Sequence, residues 1–349
     1  MKFIITLLIV FVALFQAHGQ STQPKLEIVG QLPIRPANVA VSKSGRVFAT
    51  INFLGSSDIQ LVEIKSPTEY VSYPDATFQK NGKPASDAAL DAPLGITIDK
   101  NDNLWVIDMG HTLGKTRIWN FDISKNKLIQ KIELDSTIAP KSSFVQDIAV
   151  DERNGWAYLA DFANPGIIAV NLKTKEARRF GGHRSLQPED IDMVIDGKVI
   201  NFGGKPARVG INPITLSADR QTLYYGAMNG TAWYSVPARL FRDGAPDSVI
   251  VKAIKVVGPK PITDGVATDA RGNHYFTDLT RHAISVLTAK GKLQTLITDT
   301  HLQWPDNVAV TNGYVYISVD QLTTTPAFTG GDDTGVPPYY IFRFKNPVK

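Results

Sequence analysis

Aspartate and asparagine residues recur in this chain where short apolar segments begin. Asp264 and Asp306 each stand at the start of such a segment, and Asn212 and Asn307 stand at closely matching places. Carboxylate and amide oxygens can hold a hard cation, bind an organic ammonium, or supply a general base whose pKa rises where two acids crowd. Which chemistry is available depends on whether the fold brings these residues together.

The segments that carry these residues belong to one repeated pattern, a short apolar strand followed by a polar turn and a second strand rich in aromatic residues. Apolar side chains alternate within the first strand, and the turns carry Asn, Asp and Gly, so each copy predicts a hairpin. The copies start about 40 to 65 residues apart, a spacing typical of propeller blades and absent from sandwiches. The six copies begin at Ala37, Leu94, Gln146, Asn212, Asp264 and Asp306.

This repeat predicts an all-β fold, a six-bladed β-propeller with four-stranded antiparallel blades, in which residues 20–349 form a single domain. Closure of the ring requires one blade that combines strands from both ends of the chain. We expect residues 26–29 to pair beside residues 339–344.

The first residues have the pattern of a secretory signal peptide. Lys2 gives a positive start, residues 3–15 are apolar, and Ala17-His18-Gly19 places small residues at the cleavage positions, so residues 1–19 are predicted to be removed. The apolar run is shorter than the roughly 20 residues that span a membrane. Because the chain has no cysteine, a bacterial envelope or periplasm is favoured over a eukaryotic extracellular fluid. We expect a secreted or periplasmic bacterial protein.

Charge argues against two classes of partner. The formal net charge is only +4, and lysine and arginine are interspersed with acids and form no basic run. Neither nucleic acid nor an anionic membrane surface is indicated. A small molecule is the expected partner, and the sequence does not identify a protein partner.

Several stretches resemble the major royal jelly protein and Yellow family, in the same order and across nearly the whole mature chain. They are LWVIDMGH, WAYLADF, GINPITLSADRQTLYYGAMNGTAWYSVPARLF and WPDNVAVTNGYVYISVDQL. The resemblance implies a six-bladed propeller, in agreement with the repeat. It also implies uneven functions, since some insect members bind biogenic amines in the central channel, some accelerate dopachrome tautomerisation, and others are storage or signalling proteins.

A broader resemblance links the strand starts to the gluconolactonase and senescence-marker propellers and to NHL repeats. In the lactonases a divalent metal at the channel mouth is held by a Glu, an Asn and an Asp. Asn212 and Asp264 match the Asn and Asp, whereas the Glu position falls at Ala37 or Asn38, which removes one anionic ligand. A divalent cation such as calcium is therefore the one cofactor to consider, with Asn212 and Asp264 as its ligands.

In a propeller the first strand of each blade lines the channel, and its start lies on the same face as the loop after the second strand. This geometry predicts a ligand site at one mouth of the channel. Its expected binding residues are Asn212, Asp264, Asp306, Asn307, Trp304 and Asp108.

Two further features of the predicted mouth concern single residues. His111 follows Asp108 in a loop on this face and is the candidate general acid or base, because histidine titrates near neutral pH. Asp108, Asp161 and Asp278 share one position of the repeat, and an Asp there can simply lock a turn through backbone N–H groups.

Three classes of function stay open at this point. The leading hypothesis is a propeller that binds a small cationic or aromatic ligand at the mouth. The second is an enzyme, either a dopachrome-type tautomerase using His111 or a rim Asp, or a metal-dependent lactonase using Asn212 and Asp264. The third is a scaffold that presents the propeller face to another protein.

Overall fold

The computed structural model describes residues 24–55 and 57–348, so the predicted signal peptide lies outside the described residues. Within them, six four-stranded antiparallel sheets are arranged as the blades of a β-propeller. The predicted fold class is confirmed. No helix in the described part of the chain is both long and apolar enough to cross a membrane.

The blades are numbered from the first repeat, and their strands run outward from the channel. Blade 1 comprises Pro36–Val41, Val47–Ile51, Leu61–Ser66 and Glu69–Ser72. Blade 2 comprises Pro93–Ile98, Asn103–Asp108, Arg117–Asp122 and Lys127–Glu133. Blade 3 comprises Val145–Asp151, Trp156–Asp161, Gly166–Asn171 and Ala177–Gly181.

The second half of the ring follows the same plan, except that the last blade takes its outer strand from the beginning of the chain. Blade 4 comprises Ile211–Leu216, Thr222–Ala227, Ala232–Pro237 and Lys255–Pro259. Blade 5 comprises Val266–Thr268, His274–Asp278, Ala283–Leu287 and Leu293–Thr298. Blade 6 comprises Pro305–Thr311, Tyr314–Val319, Tyr339–Lys345 and Glu27–Leu32.

The remaining elements are short and lie between strands. Two small hairpins, Val194–Ile195 with Lys198–Val199 and Asn201–Phe202 with Lys205–Pro206, separate blades 3 and 4. The α-helices are Arg239–Arg242, Asp247–Ala253 and Pro326–Thr329. The 3₁₀ turns are Phe53–Gly55, Ala76–Phe78, Arg184–Leu186, Leu279–Arg281 and Leu322–Thr324.

The apolar core is divided among the interfaces between neighbouring blades. Successive residues of a strand point to opposite faces, so one inner strand contributes to two interfaces. In blade 3, Ile148 and Val150 pack against blade 2, whereas Ala149 packs against blade 4. This explains why the inner strands are apolar on both faces.

The ring is closed by the pairing predicted from the sequence. Glu27–Leu32 pairs antiparallel with Tyr339–Lys345, with Ile28 opposite Phe342 and Leu32 opposite Tyr339. The N-terminal strand covers what would otherwise be an exposed edge of blade 6. Its Leu32 is 1% exposed and joins the core between blades 6 and 1.

A chain that begins at Pro33 should lose stability throughout the ring, because blade 6 would then expose the edge of its third strand. A chain that begins at Leu26 keeps the strand and is the matched control. We expect thermal unfolding followed by circular dichroism to show one transition, shifted down by more than about 10 °C in the shorter chain, given about 2–4 °C per kcal/mol for a domain of this size. Equal midpoints for the two chains would show that closure does not depend on this strand.

Candidate functional site at the neck of the channel

The polar residues of the mouth are placed by irregularities in the inner strands. In blades 1, 2, 3, 4 and 6 the pairing of the first and second strands shifts by one residue near the mouth end. Such β-bulges re-aim side chains and are frequent beside functional sites. The irregular stretches contain Asn38, Gln146, Asn212 and Asp306, whose side chains hydrogen-bond to one another or to Asp264 around the ring. We call this narrow ring, together with Asp264, the neck.

Hydroxyl groups of the second strands accept hydrogen bonds from backbone N–H groups at the mouth end of the inner strands. The Thr50 Oγ1 atom accepts from the Asn38 N–H at 3.0 Å, and Thr277 Oγ1 accepts from the Asp264 N–H at 3.2 Å. Ser318 Oγ accepts from the Asn307 N–H at 3.2 Å. The three hydroxyl residues are fully buried, so these bonds satisfy donors that water cannot reach.

Asp264 is the best-connected carboxylate of the neck. Its Oδ1 atom accepts from Asn212 Nδ2 at 2.5 Å and from Gln146 Nε2 at 2.9 Å, and its Oδ2 atom accepts from Trp304 Nε1 at 2.8 Å. The three donors come from blades 3 and 4 and from the residue before blade 6. Asp264 therefore ties together three parts of the ring.

Asp306 and Asp320 form a second polar group beside it. Asn38 Nδ2 donates to Asp306 Oδ1 at 2.8 Å, and Asn52 Nδ2 donates to Asp320 Oδ2 at 3.0 Å. The two carboxyls are close enough for each to affect the ionisation of the other. Arg35 binds the backbone carbonyl oxygen of Asp320 and anchors this loop.

Burial moves the titration of these acids into the neutral range. It raises the pKa of Asp147 and of Asp264 to about 7 and that of Asp320 to about 8, and the neighbouring negative charges add to the effect at Asp147 and Asp320. Burial and the adjacent Asp264 also hold the pKa of Asp306 well above its usual value. We call these four residues the acid cluster. It can exchange protons near neutral pH.

An apolar pocket lies above the neck on the mouth side. It contains about 540 Å³ of space between atoms, including its opening to solvent, and Asp264 and Asp306 contribute to its base. Aromatic side chains of this kind bind flat apolar groups, while a few polar groups set the orientation. We call it the aromatic pocket, after Phe53, Phe144, Phe162, Phe202, Trp304 and Phe328.

Trp304 connects the aromatic pocket to the acid cluster. Its ring packs edge-on against Phe328, with centroids 5.3 Å apart, while its indole N–H donates to Asp264. Its φ of 56° lies in the left-handed region, which is costly for a bulky residue and recurs at functional sites.

Asn212 leaves one atom of the neck without a partner. Its Nδ2 atom donates to Asp264, but its buried Oδ1 atom accepts no hydrogen bond in the structure. A buried amide oxygen is normally paired, so this atom can receive a donor from a ligand or water.

The structure brings together four of the residues predicted for the mouth, Asn212, Asp264, Asp306 and Trp304. Asn307 is adjacent, but it lines the channel on the other side of the neck. The roles assigned to these residues remain predictions.

Asp108 is not part of the mouth. It is fully buried inside blade 2, where its Oδ2 atom accepts from Arg117 at 2.7 Å and from Trp119 Nε1 at 3.0 Å. It also accepts backbone N–H groups from Asp91 and Gly110. These contacts agree with the prediction that an Asp at this position of the repeat locks a turn.

Asp161 and Asp278 are likewise held within their own blades. Asp161 accepts from the Phe144 N–H at 3.0 Å and pairs with Arg179 at 2.5 Å. Asp278 accepts from Ser285 Oγ at 2.9 Å. None of these contacts joins Asp161 or Asp278 to the acid cluster.

His111 lies behind the wall of the aromatic pocket. It lines a separate small cavity with Lys141 and Ser142, and its ring centroid is 5.1 Å from that of Phe53. It is not among the residues that line the aromatic pocket. The structure does not bring it to the acid cluster.

Most of the aromatic pocket was missed by the sequence argument, because its walls come from connections and not from the repeat. Phe202 belongs to a small hairpin between blades 3 and 4, whereas Phe328 and Phe162 lie between the second and third strands of blades 6 and 3. Phe162 does follow an Asp at the end of a second strand, as Phe53 follows Asn52. That shared position is the signal that could have identified these two.

The fit of the neck to a divalent metal is poor. Among residues 24–55 and 57–348, no three His, Cys, Asp or Glu side chains are arranged to hold a metal ion. The oxygens of Asp264 already accept three N–H groups, and Asn212 directs its NH₂ group toward them. The predicted ligand pair therefore lacks the additional anionic oxygens that calcium requires.

Comparison with known proteins agrees with the fold and identifies relatives. A family model described as Major royal jelly protein matches residues 92–327, more than half of the chain. The Protein yellow sequences of Drosophila pseudoobscura pseudoobscura and Drosophila melanogaster are each 26% identical over 189 residues, 50% of this chain. The alignments cover 33% and 35% of those relatives, so this chain matches about a third of their length.

Solved structures share the fold at low sequence identity. The virginiamycin B lyase from Staphylococcus aureus has a TM-score of 0.55 and 14% identity, over 93% of this chain and 100% of that chain. A luciferin-regenerating enzyme has a TM-score of 0.57 and 11% identity, over 93% of this chain and 96% of that chain. A Bacteroides thetaiotaomicron protein of unknown function has a TM-score of 0.58 and 13% identity, over 93% and 76% of the chains. These likenesses establish the architecture alone.

The raised pKa of Asp147 predicts a pH-dependent stability. An unfolded Asp titrates near 3.8, so between that pH and about 7 only the folded state keeps the proton, and stability falls as the pH rises. Asp147→Asn removes this group. From about pH 6 to about pH 8, we expect the wild-type free energy of unfolding to fall by about 1 kcal/mol more than that of the variant.

Urea denaturation at the two pH values measures this difference. Asp243→Asn, at a residue whose side chain is 63% exposed, is the control and should follow the wild type. Parallel pH dependences for wild type and Asp147→Asn would show that Asp147 titrates as an ordinary carboxyl.

Proposed function

The chain belongs to the major royal jelly protein family, and from the geometry of the mouth we propose that it binds a small aromatic molecule carrying an ammonium group. The observation that carries this proposal is the placement of two buried carboxyls, Asp264 and Asp306, at the base of a pocket walled by aromatic rings. The family resemblance supports it, because biogenic amines that some insect members bind have this composition.

The two halves of such a ligand match the two parts of the site. A flat ring would pack among Phe202, Trp304 and Phe328, where offset and edge-on contacts are already present between side chains. An ammonium group would reach Asp306 or Asp264 and favour their ionised forms. A ligand with a neutral hydrogen-bond donor could instead bind the unpaired Asn212 Oδ1 atom. Its affinity would not increase when the acids ionise.

Binding of a cation should therefore be linked to proton release. At about pH 6 the acid cluster holds protons that an ammonium must displace, whereas at about pH 8 more of the carboxyls are already ionised. We expect dopamine to bind more tightly at the higher pH, below the pKa of its amine. Catechol has the ring without the ammonium, and its affinity should change little.

Asp264→Asn tests the acid most directly. We expect it to weaken dopamine binding by at least about tenfold, or 1.4 kcal/mol, and to affect catechol much less. Isothermal titration calorimetry of wild type, Asp264→Asn and the surface control Asp243→Asn measures this. Equal losses for dopamine and catechol would contradict the ammonium contact, and no binding of either, nor of serotonin or tryptamine, by the wild type would refute the proposal.

A second candidate function is proton transfer on an aromatic substrate, as in dopachrome tautomerisation. It is favoured by the acid cluster, which titrates near neutral pH at the base of the aromatic pocket. On this hypothesis Asp306, which faces the pocket, moves the proton, and His111 does not, because it lines a different cavity.

The loss of dopachrome absorbance distinguishes these residues. If the protein is a tautomerase, Asp306→Asn should lower kcat by about 10²-fold or more, the range of general acid–base catalysis, and His111→Ala should retain the wild-type rate. Activity lost in His111→Ala and retained in Asp306→Asn would reverse the assignment. Absence of turnover in the wild type would leave binding as the function.

The other hypotheses from the sequence have less support. A metal-dependent lactonase would need more anionic ligands than Asn212 and Asp264 supply, and a protein-interaction scaffold does not account for buried acids beneath an aromatic pocket. Export to a secreted or periplasmic location rests on the composition of residues 1–19.

A further inference from the structure

A second cavity lies on the opposite side of the neck. It is the central channel, which opens on the far face near Lys43 and Lys100 and contains about 1360 Å³ of space between atoms, including its opening. Its inner end reaches Asp147 and Asn307. The channel therefore ends at the underside of the acid cluster.

Small side chains keep the channel open. The same position of each inner strand, one residue beyond the first apolar residue of the repeat, carries Ala in four blades and Thr in two. All six residues line the channel: Ala40, Thr97, Ala149, Thr215, Ala267 and Ala309. The repeat thus places a small residue at the same level of the channel wall in every blade.

The neck separates the channel from the aromatic pocket. The two cavities share no lining residue. Neighbouring inner strands approach so closely at the neck that a Cβ on Gly95 would lie 2.5 Å from the Gln146 carbonyl oxygen, and one on Gly265 would lie 2.6 Å from the Asn307 Cα. Only glycine allows this approach.

The acid cluster spans this partition. Asp264 and Asp306 face the aromatic pocket, whereas Asp147 faces the channel and is 7% exposed, more than the other three acids. Asp147 is close enough to Asp264 for their charges to interact. The cluster thus has one member on the channel side, which a ligand in the aromatic pocket does not cover.

We propose that the central channel is a separate solvent route to the acid cluster, and that Asp147 is the residue through which the cluster exchanges protons with that solvent while the aromatic pocket is filled. When a cation binds at Asp264, the O–H bond of that carboxyl breaks and its proton passes to an ionised Asp147. The new Asp147 O–H bond then breaks, and channel water takes the proton as hydronium. The use of this route during ligand binding rests on the proposed function, but its existence does not.

The first test is access to the channel. Because the chain has no cysteine, Ala309→Cys places a single thiol midway along the channel wall. We expect a small methanethiosulfonate reagent to modify it in the folded protein. A thiol that reacts only after denaturation would show that the channel is closed and would overturn the proposal.

The second test blocks the aromatic pocket covalently, so that it does not depend on any ligand. Leu54→Cys lies in the pocket wall, and a benzyl methanethiosulfonate adduct there would fill the pocket. Exchange of the Trp304 indole N–H into deuterated water, followed by NMR, then reports proton access to Asp264. With the pocket filled, we expect exchange to continue at no less than about a third of the unblocked rate.

Asp147→Asn in the blocked protein identifies the residue that relays the proton. We expect indole exchange to slow by at least about tenfold, whereas Asp243→Asn in the same background should not change it. Unchanged exchange in blocked Asp147→Asn would overturn the role of Asp147, and cessation of exchange on blocking alone would overturn the channel route. Neither result bears on whether the open pocket binds dopamine, which calorimetry decides.

Discussion

The convergence of six inner strands on one narrow neck is the constraint on which the rest of the structure depends. Strands that approach this closely cannot keep regular pairing to their ends, and five of them bulge by one residue at the mouth. The bulges aim polar side chains at the axis, and the surrounding blades exclude water from them. Polar groups that would be ordinary at a loop surface thereby become a buried network.

Burial gives the acid cluster its chemical character and also a stability penalty. Four carboxyls in one low-dielectric space cannot all ionise, so they share protons near neutral pH. The amide groups of Asn38, Asn52 and Asn212 and the indole of Trp304 offset part of this penalty. A network of this kind contributes less to stability than an apolar core would. This is consistent with a functional role for the buried polar residues.

The repeat predicted the fold and the blade closure, because both follow from alternating apolar residues and from the two unpaired ends of the chain. It also predicted the residues of the neck that come from strand starts, such as Asn212 and Asp306. It could not distinguish these from Asp108, whose partner Arg117 lies on a neighbouring strand within blade 2. The sequence around a repeated Asp is the same whether its side chain locks a turn or faces the channel axis.

The walls of the site were beyond the reach of sequence reasoning. Phe202 comes from the connection between blades 3 and 4 and Phe328 from the segment between two strands of blade 6. Their rings meet 5.1 Å apart over the mouth through folding that no local pattern predicts. His111 illustrates the opposite error, since proximity to Asp108 in sequence suggested the mouth, whereas the loop turns it behind Phe53. Loop paths, unlike strand starts, are not fixed by the period of the repeat.

We expect the buried carboxyls at the base of the aromatic pocket to titrate near neutral pH and to respond to a bound cation. NMR titration of ¹³C-labelled aspartate carboxyls, with assignments from the Asn variants, measures this most directly. The expected result is a pKa of about 7 for Asp147 and Asp264 and of about 8 for Asp320, each lowered when dopamine is present. Titration of all three near 3.8, or pKa values that dopamine does not change, would contradict it.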